Sequence, residues 1–377
     1  MAQTRSLPVG RREEILDRVN AAGEARVADL AAELGVSVIT VRRDIAVLAE
    51  EGLLRQVRGG AHRLVLRDEP DRSSGRAAAV GGAAILKDIG VIVPSLTYYW
   101  PRILQGASSA ADGHGARLHI EAASPRAEDC LESLARLTGE GAVDALLLAP
   151  DLRSGAASEE LLAQLRALEV PAVLMERDLR DLDPTCAGVD SVRTDHEQGA
   201  LEAFAHLHRL GHRRLGLLHD RTSPTVPQIL VAWRRAHELF DLSAEDSALG
   251  VLDTHGTAPA QQIDSFLDLC LEHGVTGVHV HSDEAALLVM QQASRRGIDV
   301  PGELSITAHD DELSTLTRPA LTAVGPDKPA LGARAVQMLM RRLETPAAPC
   351  ERTELLPRLH VRGSTAPPPG RASATRD

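Results

Sequence analysis

Residues 27–61, VADLAAELGVSVITVRRDIAVLAEEGLLRQVRGGA, alternate helix and turn signals in a fixed order. Upstream, Ile15, Leu16 and Val19 give the apolar side of a first helix that Gly23 ends. A second helix is predicted from about Val27 to Leu34, stopped by Gly35. Ser37 is then placed as the N-cap of a third helix, in which Val41, Ile45 and Leu48 recur at i, i+4 and i+7 and form one apolar face. A turn of about 100° per residue puts Ile39 and Arg43 opposite that stripe, with Thr40 and Arg42 beside them. After Gly52, the alternation of Leu54, Gln56 and Arg58 with their neighbours about a Gly59-Gly60 turn predicts a two-stranded wing.

This order, with the S-x-x-T-V-R-R-D core from Ser37 to Asp44 and the G-G-A of residues 59–61, resembles the DeoR-type winged helix-turn-helix over nearly all of residues 11–61. The resemblance implies that the third helix enters the major groove of double-stranded operator DNA. Arginine is the commonest reader of guanine there, while hydroxyls and wing arginines hold phosphates. Ser37, Thr40, Arg42, Arg43, Arg55 and Arg58 match the motif, and with the outward Ile39 and Gly59 of the wing they are the candidate DNA contacts. A lone Arg-Arg pair is more often a solvated face; cap, turn and wing in one register favour DNA here.

The rest of the chain sets the context. At 377 residues it is too long for one ordinary domain and divides most simply into a small and a large one. Its 44% apolar and 25% charged residues are those of a folded globular protein, and only seven aromatic residues mean a core of Leu, Val, Ile and Ala. No apolar run approaches a membrane span and the first residues carry no secretory segment, so a cytoplasmic location is expected. Cys130, Cys186, Cys270 and Cys350 are scattered without metal-binding or disulfide-framework spacing and read as reduced thiols. The net charge of −12 hides a contrast: residues 1–66 hold ten Arg against nine acidic residues, and the acidic excess lies in the remainder. That argues against indiscriminate coating of nucleic acid. Residues 67–87 lose periodicity and read as a linker, and residues 367–377 as a disordered tail.

Between these, residues 88–366 carry short continuous apolar runs separated by helical patterns: IGVIVP (89–94), VDALLLAP (143–150), VPAVLME (170–176), RLGLLH (214–219), VTGVHVH (275–281) and LSITAHD (304–310). Strands without alternation are buried on both faces, as in parallel sheets covered by helices. The expected class is α/β, with ligands at loops beyond the strand ends. The runs, with TDHEQGA (194–200), LHRLGHRRLGLL (207–218), HSDEAA (281–286) and RGIDVPGELSITAHDDE (296–312), resemble the effector-binding body of LacI/GalR-type regulators, the periplasmic-binding-protein-like fold. The resemblance implies two lobes of doubly wound parallel sheet closing on a small sugar-like effector, and a homodimer.

Candidate effector contacts are Tyr98, Tyr99 and Trp100, which gather both tyrosines and one of two tryptophans after the first strand, and Asp195 and Asp283, which match carboxylate positions of that family. Rings packing onto the lobe and carboxylates capping helices are the competing readings. The family's expected arginine and glycine are replaced by Ile229 and Ala232 before Trp233, which removes a polar anchor. His206, His208 and His212 invite a metal reading, but 206 and 208 point to opposite sides of a helix. No metal, cofactor or catalytic residue is expected, and Asp310, Asp311 and Glu312 lack a partner nucleophile. The expectation is an effector-controlled regulator, a repressor that is not an enzyme. The rival reading is a carbohydrate-binding or sugar-modifying protein with a vestigial head.

Overall fold

The computed structural model describes residues 11–12, 14–15, 18–19, 24–50, 54–57, 60–63, 87–123, 127–139, 143–150, 156–179, 188–254 and 256–370. The chain forms two compact units, residues 1–84 and 85–377, and the boundary falls inside the stretch read as a linker.

In the first unit, residues 11, 12, 14, 15, 18 and 19 are helical, while Leu16 and Gly23 fall outside the described residues. Strand β1 (Glu24–Arg26) precedes helices α1 (Val27–Glu33) and α2 (Val38–Glu50), and strands β2 (Leu54–Val57) and β3 (Gly60–Arg63) form the wing. Ile15, Val19, Leu30, Val41, Ile45, Leu48 and Leu54 are buried together, so the predicted stripe of α2 is the side turned to the core. The wing has a third strand that the sequence did not signal: β1 pairs antiparallel with β3. Three polar or small residues, Glu24, Ala25 and Arg26, carry no apolar alternation to announce a strand. Gly60 is corrected from turn to strand, since it pairs with Val57 and opens β3. A Cβ there would run into the carbonyl oxygen of Ala25, so the third strand requires glycine at this place.

The second unit has two lobes. The first holds β4 (Lys87–Val93), α3 (Trp100–Gly113), β5 (Ala116–Ala122), α4 (Ala127–Thr138), β6 (Ala145–Leu148), α5 (Ala156–Arg166), β7 (Ala172–Met175) and β8 (Asp190–Thr194). The second holds α6 (His196–Leu210), β9 (Leu215–Asp220), α7 (Val226–Phe240), β10 (Ala248–Leu252), α8 (Pro259–Glu272), β11 (Gly277–His281), α9 (Asp283–Arg295), β12 (Ser305–His309) and β13 (Thr322–Gly325). The chain then returns through α10 (Lys328–Glu344) and β14 (Arg352–Leu355) to the first lobe and through β15 (Arg358–His360) to the second.

The sheets run β14-β8-β7-β6-β4-β5 and β10-β9-β11-β12-β13-β15, parallel throughout except for the antiparallel β13–β15 pair. Alternate residues of the first sheet serve two cores. Val91, Leu147 and Val173 pack with α3 and α10, while Ile92, Leu146 and Leu174 pack with α4 and α5. In the second, Val278, Val280 and Ile306 pack with α8 and α9, and Leu215 and Leu217 with α6 and α7. Burial on both faces is why these runs read as continuously apolar. Helices α3 and α10 cross at Gly106 and Gly332, where a Cβ would meet the backbone oxygens of Pro329 and Ile103 respectively. In each sheet the first strand of the lobe lies between the second and the third, which creates a switch point at β4/β6 and at β9/β11, the place where open α/β sheets bind ligands.

Candidate functional site

The reading face of the first unit is built on the cap of α2. Ser37 Oγ accepts from Thr40 N at 3.1 Å and lies 2.8 Å from Thr40 Oγ1, so the sequence-predicted cap starts the helix at Val38. Ile39, Arg42 and Arg43 are exposed on the outward side, and Thr40 is half-buried under its bond to Ser37. Arg55 lies on β2, while Arg58 and Gly59 fall outside the described residues. What holds this face in place is Asp44, which sequence reasoning passed over. It is buried between the helices, accepting from Arg11 Nε at 2.6 Å and Arg11 Nη2 at 3.4 Å, with Arg12 Nε 3.9 Å away. The signal was available, because Asp44 sits one residue before Ile45 on the apolar side of α2.

In the second unit, polar groups gather where strand ends of the two lobes meet. Tyr98, from the loop after β4, donates to Asp310 Oδ2 at 3.0 Å, beyond the end of β12. Glu176, just past β7, accepts from Tyr99 Oη at 2.6 Å, from Thr194 N at 2.9 Å and from Thr194 Oγ1 at 2.7 Å, and lies 3.3 Å from His196 Nε2 in the second lobe. Burial works against its charge, but the hydrogen bond and charge of His196, with the bonds from Tyr99 and Thr194, hold the carboxyl well below its ordinary range. From His196 a row of imidazoles continues: Nδ1 lies 3.0 Å from His309 Nε2, His309 Nδ1 3.4 Å from His279 Nε2, and His279 Nδ1 3.0 Å from Thr307 Oγ1. Burial, and then the neighbouring imidazoles, lower the pKa of His309 far below the usual value and that of His279 to about 3. Lys328, opening α10, is buried over the Tyr99 ring at 4.8 Å, pairs with Glu312 at 2.7 Å and also donates to the Asp310 carbonyl.

Four of the non-glycine residues here, Tyr98, Glu176, Asp310 and Asp311, have φ of 56°, 56°, 95° and 55°. Such conformations cost about 1–3 kcal/mol each and persist where the surroundings over-determine them. Tyr98 and Asp310 meet across the lobes, whereas Asp311 is held by Arg362 within the second lobe.

Of the five effector candidates, the structure brings Tyr98, Tyr99 and Asp283 to this region. Asp283 is fully buried at the start of α9; its Oδ2 accepts from Leu313 N at 2.7 Å, and burial, followed by the charge of Asp310, raises its carboxyl to about 7. His281 Nδ1 makes no hydrogen bond among the described residues, while the Ser314 hydroxyl lies beside the Asp283 carboxyl. Trp100 instead begins α3 and is buried in the core of the first lobe, edge-on to Tyr99. Asp195 caps α6, accepting from Gln198 N at 2.8 Å. Ile229 and Ala232 are fully buried against Phe204 and Trp233, so α7 contributes no cation to the cleft from those positions.

Glu176, His196, His309 and Lys328, which sequence reasoning did not single out, lie in the same region. The available signals were polar residues one step past an apolar run and a lysine in a chain that has only two. The three histidines of the H-x-H-x-x-x-H run go separate ways. His206 bonds Thr365 and His212 bonds Thr276 and Ala366, while His208 stacks on Phe240. No group of His, Cys, Asp and Glu among the described residues is arranged to hold a metal, and no described helix is long and apolar enough to cross a membrane.

Comparison with known proteins agrees with both units. Residues 11–65 match the model of a DeoR-like helix-turn-helix domain and residues 204–365 that of a periplasmic binding protein-like domain. The lactose operon repressor of Klebsiella pneumoniae is 30% identical over 305 residues, covering 78% of this chain and 79% of that protein. A LacI family transcriptional regulator from Enterococcus faecium, solved with bound ribose, aligns with TM-score 0.61 and 25% identity over 74% of this chain and 99% of its own. A dimeric Lac repressor with a C-terminal deletion aligns with TM-score 0.62 and 25% identity over 74% of this chain and all of its own. With a capped, arginine-bearing helix in one unit and a two-lobed α/β body in the other, the chain belongs to the LacI family of transcriptional regulators and carries a DeoR-like helix-turn-helix head.

Proposed function

We propose that the protein is a cytoplasmic, homodimeric repressor whose affinity for operator DNA is set by a neutral sugar bound between the lobes of the body. The supporting observation is the gathering of Tyr98, Asp310 and the buried Asp283 and His281 at strand ends where the two lobes meet, with His281 Nδ1 making no hydrogen bond among the described residues. Buried polar atoms are ordinarily bonded, and a ligand hydroxyl there would satisfy His281. The buried Ile229 leaves α7 without a polar anchor at that position, so the other strand-end groups carry the ligand's polar contacts. A ribose-bound structure and a lactose operon repressor among the relatives support the same class, and a dimeric relative supports two heads on two half-sites.

The DNA side is tested through Arg43. After enrichment of bound duplexes from a random pool, the Arg43→Ala protein is expected to bind the enriched sequence about 1–3 kcal/mol more weakly in a mobility shift, because a bidentate arginine–guanine contact has that magnitude. The loss should vanish on duplexes unrelated to the enriched sequence. Unchanged affinity for that sequence would remove Arg43 from the reading face.

A further inference from the structure

We infer that Ile39 is a specificity residue that recognises the C5-methyl group of one thymine in each operator half-site. The assignment rests on the reading of α2 as the helix that enters the major groove. Ile39 is 77% exposed, the most exposed large apolar side chain among the described residues, and Val38 beside it is 41% exposed. Isolated exposed apolar residues are common on protein surfaces and by themselves mean nothing. This one stands in the first turn of α2, the part of a recognition helix that reaches base edges, one turn before the exposed Arg42 and Arg43. Both arginines are exposed, and neither pairs with a carboxylate among the described residues, so two guanidinium groups flank an aliphatic centre there.

That combination fits one occupant. The guanidinium groups suit phosphates and the O6/N7 edge of guanine, whereas the thymine methyl is the apolar group that the major groove offers on an unmodified base. Four residues of helix rise about 6 Å, close to two base-pair steps of about 3.4 Å, so the thymine lies about two base pairs from any guanine read by Arg43. Ser37 and Thr40 are bonded to each other and fix the first turn, and with it the direction in which Ile39 projects. A β-branched side chain held on a capped turn has few rotamers to lose on contact.

The test uses the full chain and the sequence it enriches from random duplexes. Each thymine of that sequence is replaced in turn by deoxyuridine, which removes only the methyl. For the unaltered protein, one thymine per half-site is expected to respond with about a four-fold loss of affinity, the effect of uncovering one methyl-sized group. The Ile39→Ala protein is expected to bind the thymine and uracil forms equally, and Ile39→Val to keep part of the discrimination. An enriched sequence in which no thymine is methyl-dependent, or an equal uracil penalty in the Ile39→Ala protein, overturns the assignment while leaving DNA binding intact. Failure to enrich any sequence overturns the DNA-binding reading beneath it.

Discussion

Replacing Asp44 with alanine is expected to destabilise the head by about 3–5 kcal/mol, a large share of what a domain of this size has to lose. The carboxylate is buried, and Arg11, to which it is bonded through two nitrogens, is itself mostly covered. Removing the acid takes away the carboxylate to which that mostly covered guanidinium is bonded. Salt does not screen such a site as it would a surface pair. The reciprocal arrangement matters as much: replacing both partners with apolar residues, Arg11→Met with Asp44→Leu, should cost far less than Asp44→Ala alone. Urea denaturation of the full chain, followed by a probe in the head, measures both variants. Operator binding should fall with the head's stability while the transition of the body stays where it was. If Asp44→Ala costs no more than the double replacement, the ion pair does not hold α2 in place.

Acid is expected to remove about 2 kcal/mol of the body's stability through His279 between pH 7.5 and 5. Its folded pKa is lowered to about 3, so at pH 5 the unfolded imidazole takes up a proton that the buried one refuses. Stability is therefore fully present above about pH 6.5 and drains away as pH falls toward 3, with a loss of about 2 kcal/mol by pH 5 from this one residue. His309 and His281 are lowered as well, chiefly by burial, and act in the same direction. Asp283 opposes them. Its carboxyl, raised to about 7, becomes easier to bury as it is protonated, so it returns about 2 kcal/mol over the same range. Glu312, also raised by burial, acts in the same direction as Asp283. Denaturation of the body at pH 7.5 and pH 5 should show the His279→Gln protein losing about 2 kcal/mol less across that interval than the unaltered chain, and Asp283→Asn losing more. Identical pH profiles for all three would mean that these groups are not buried in the protonation states described.

The parts of the fold visible in the sequence are those where one physical requirement dominates. Six largely apolar runs became β4, β6, β7, β9, β11 and β12, strands buried on both faces, although in β11 and β12 one face carries the buried His279, His281, Thr307 and His309. Strands β5, β10 and β14 went unread. They lie at sheet edges with mixed exposure and carry polar or small residues that could equally belong to loops. The recognition helix was legible down to its cap because Ser37, the buried stripe and the arginines all follow from helical spacing. Asp44 was not, since a buried ion pair depends on Arg11, thirty-three residues away in sequence.

The effector region divides in the same way. Tyr98 and Tyr99 stood out as candidates because aromatic residues are scarce here. Glu176, His196 and His309 converge only after the chain has crossed between lobes at Thr194–His196, and no local pattern records that meeting. Trp100 and Asp195 show the reverse: residue type and position matched a ligand contact, while local geometry gave the first to the core and the second to a helix cap.

The central claim is that sugar binding in the body and operator binding by the head are coupled. The most direct measurement is operator affinity of the full chain, titrated in the absence and presence of saturating neutral sugars at fixed salt. At least one sugar is expected to change operator affinity by about 5–150-fold, and operator to change the affinity for that sugar by the same factor. A sugar that binds the body and leaves operator affinity untouched would contradict this coupling.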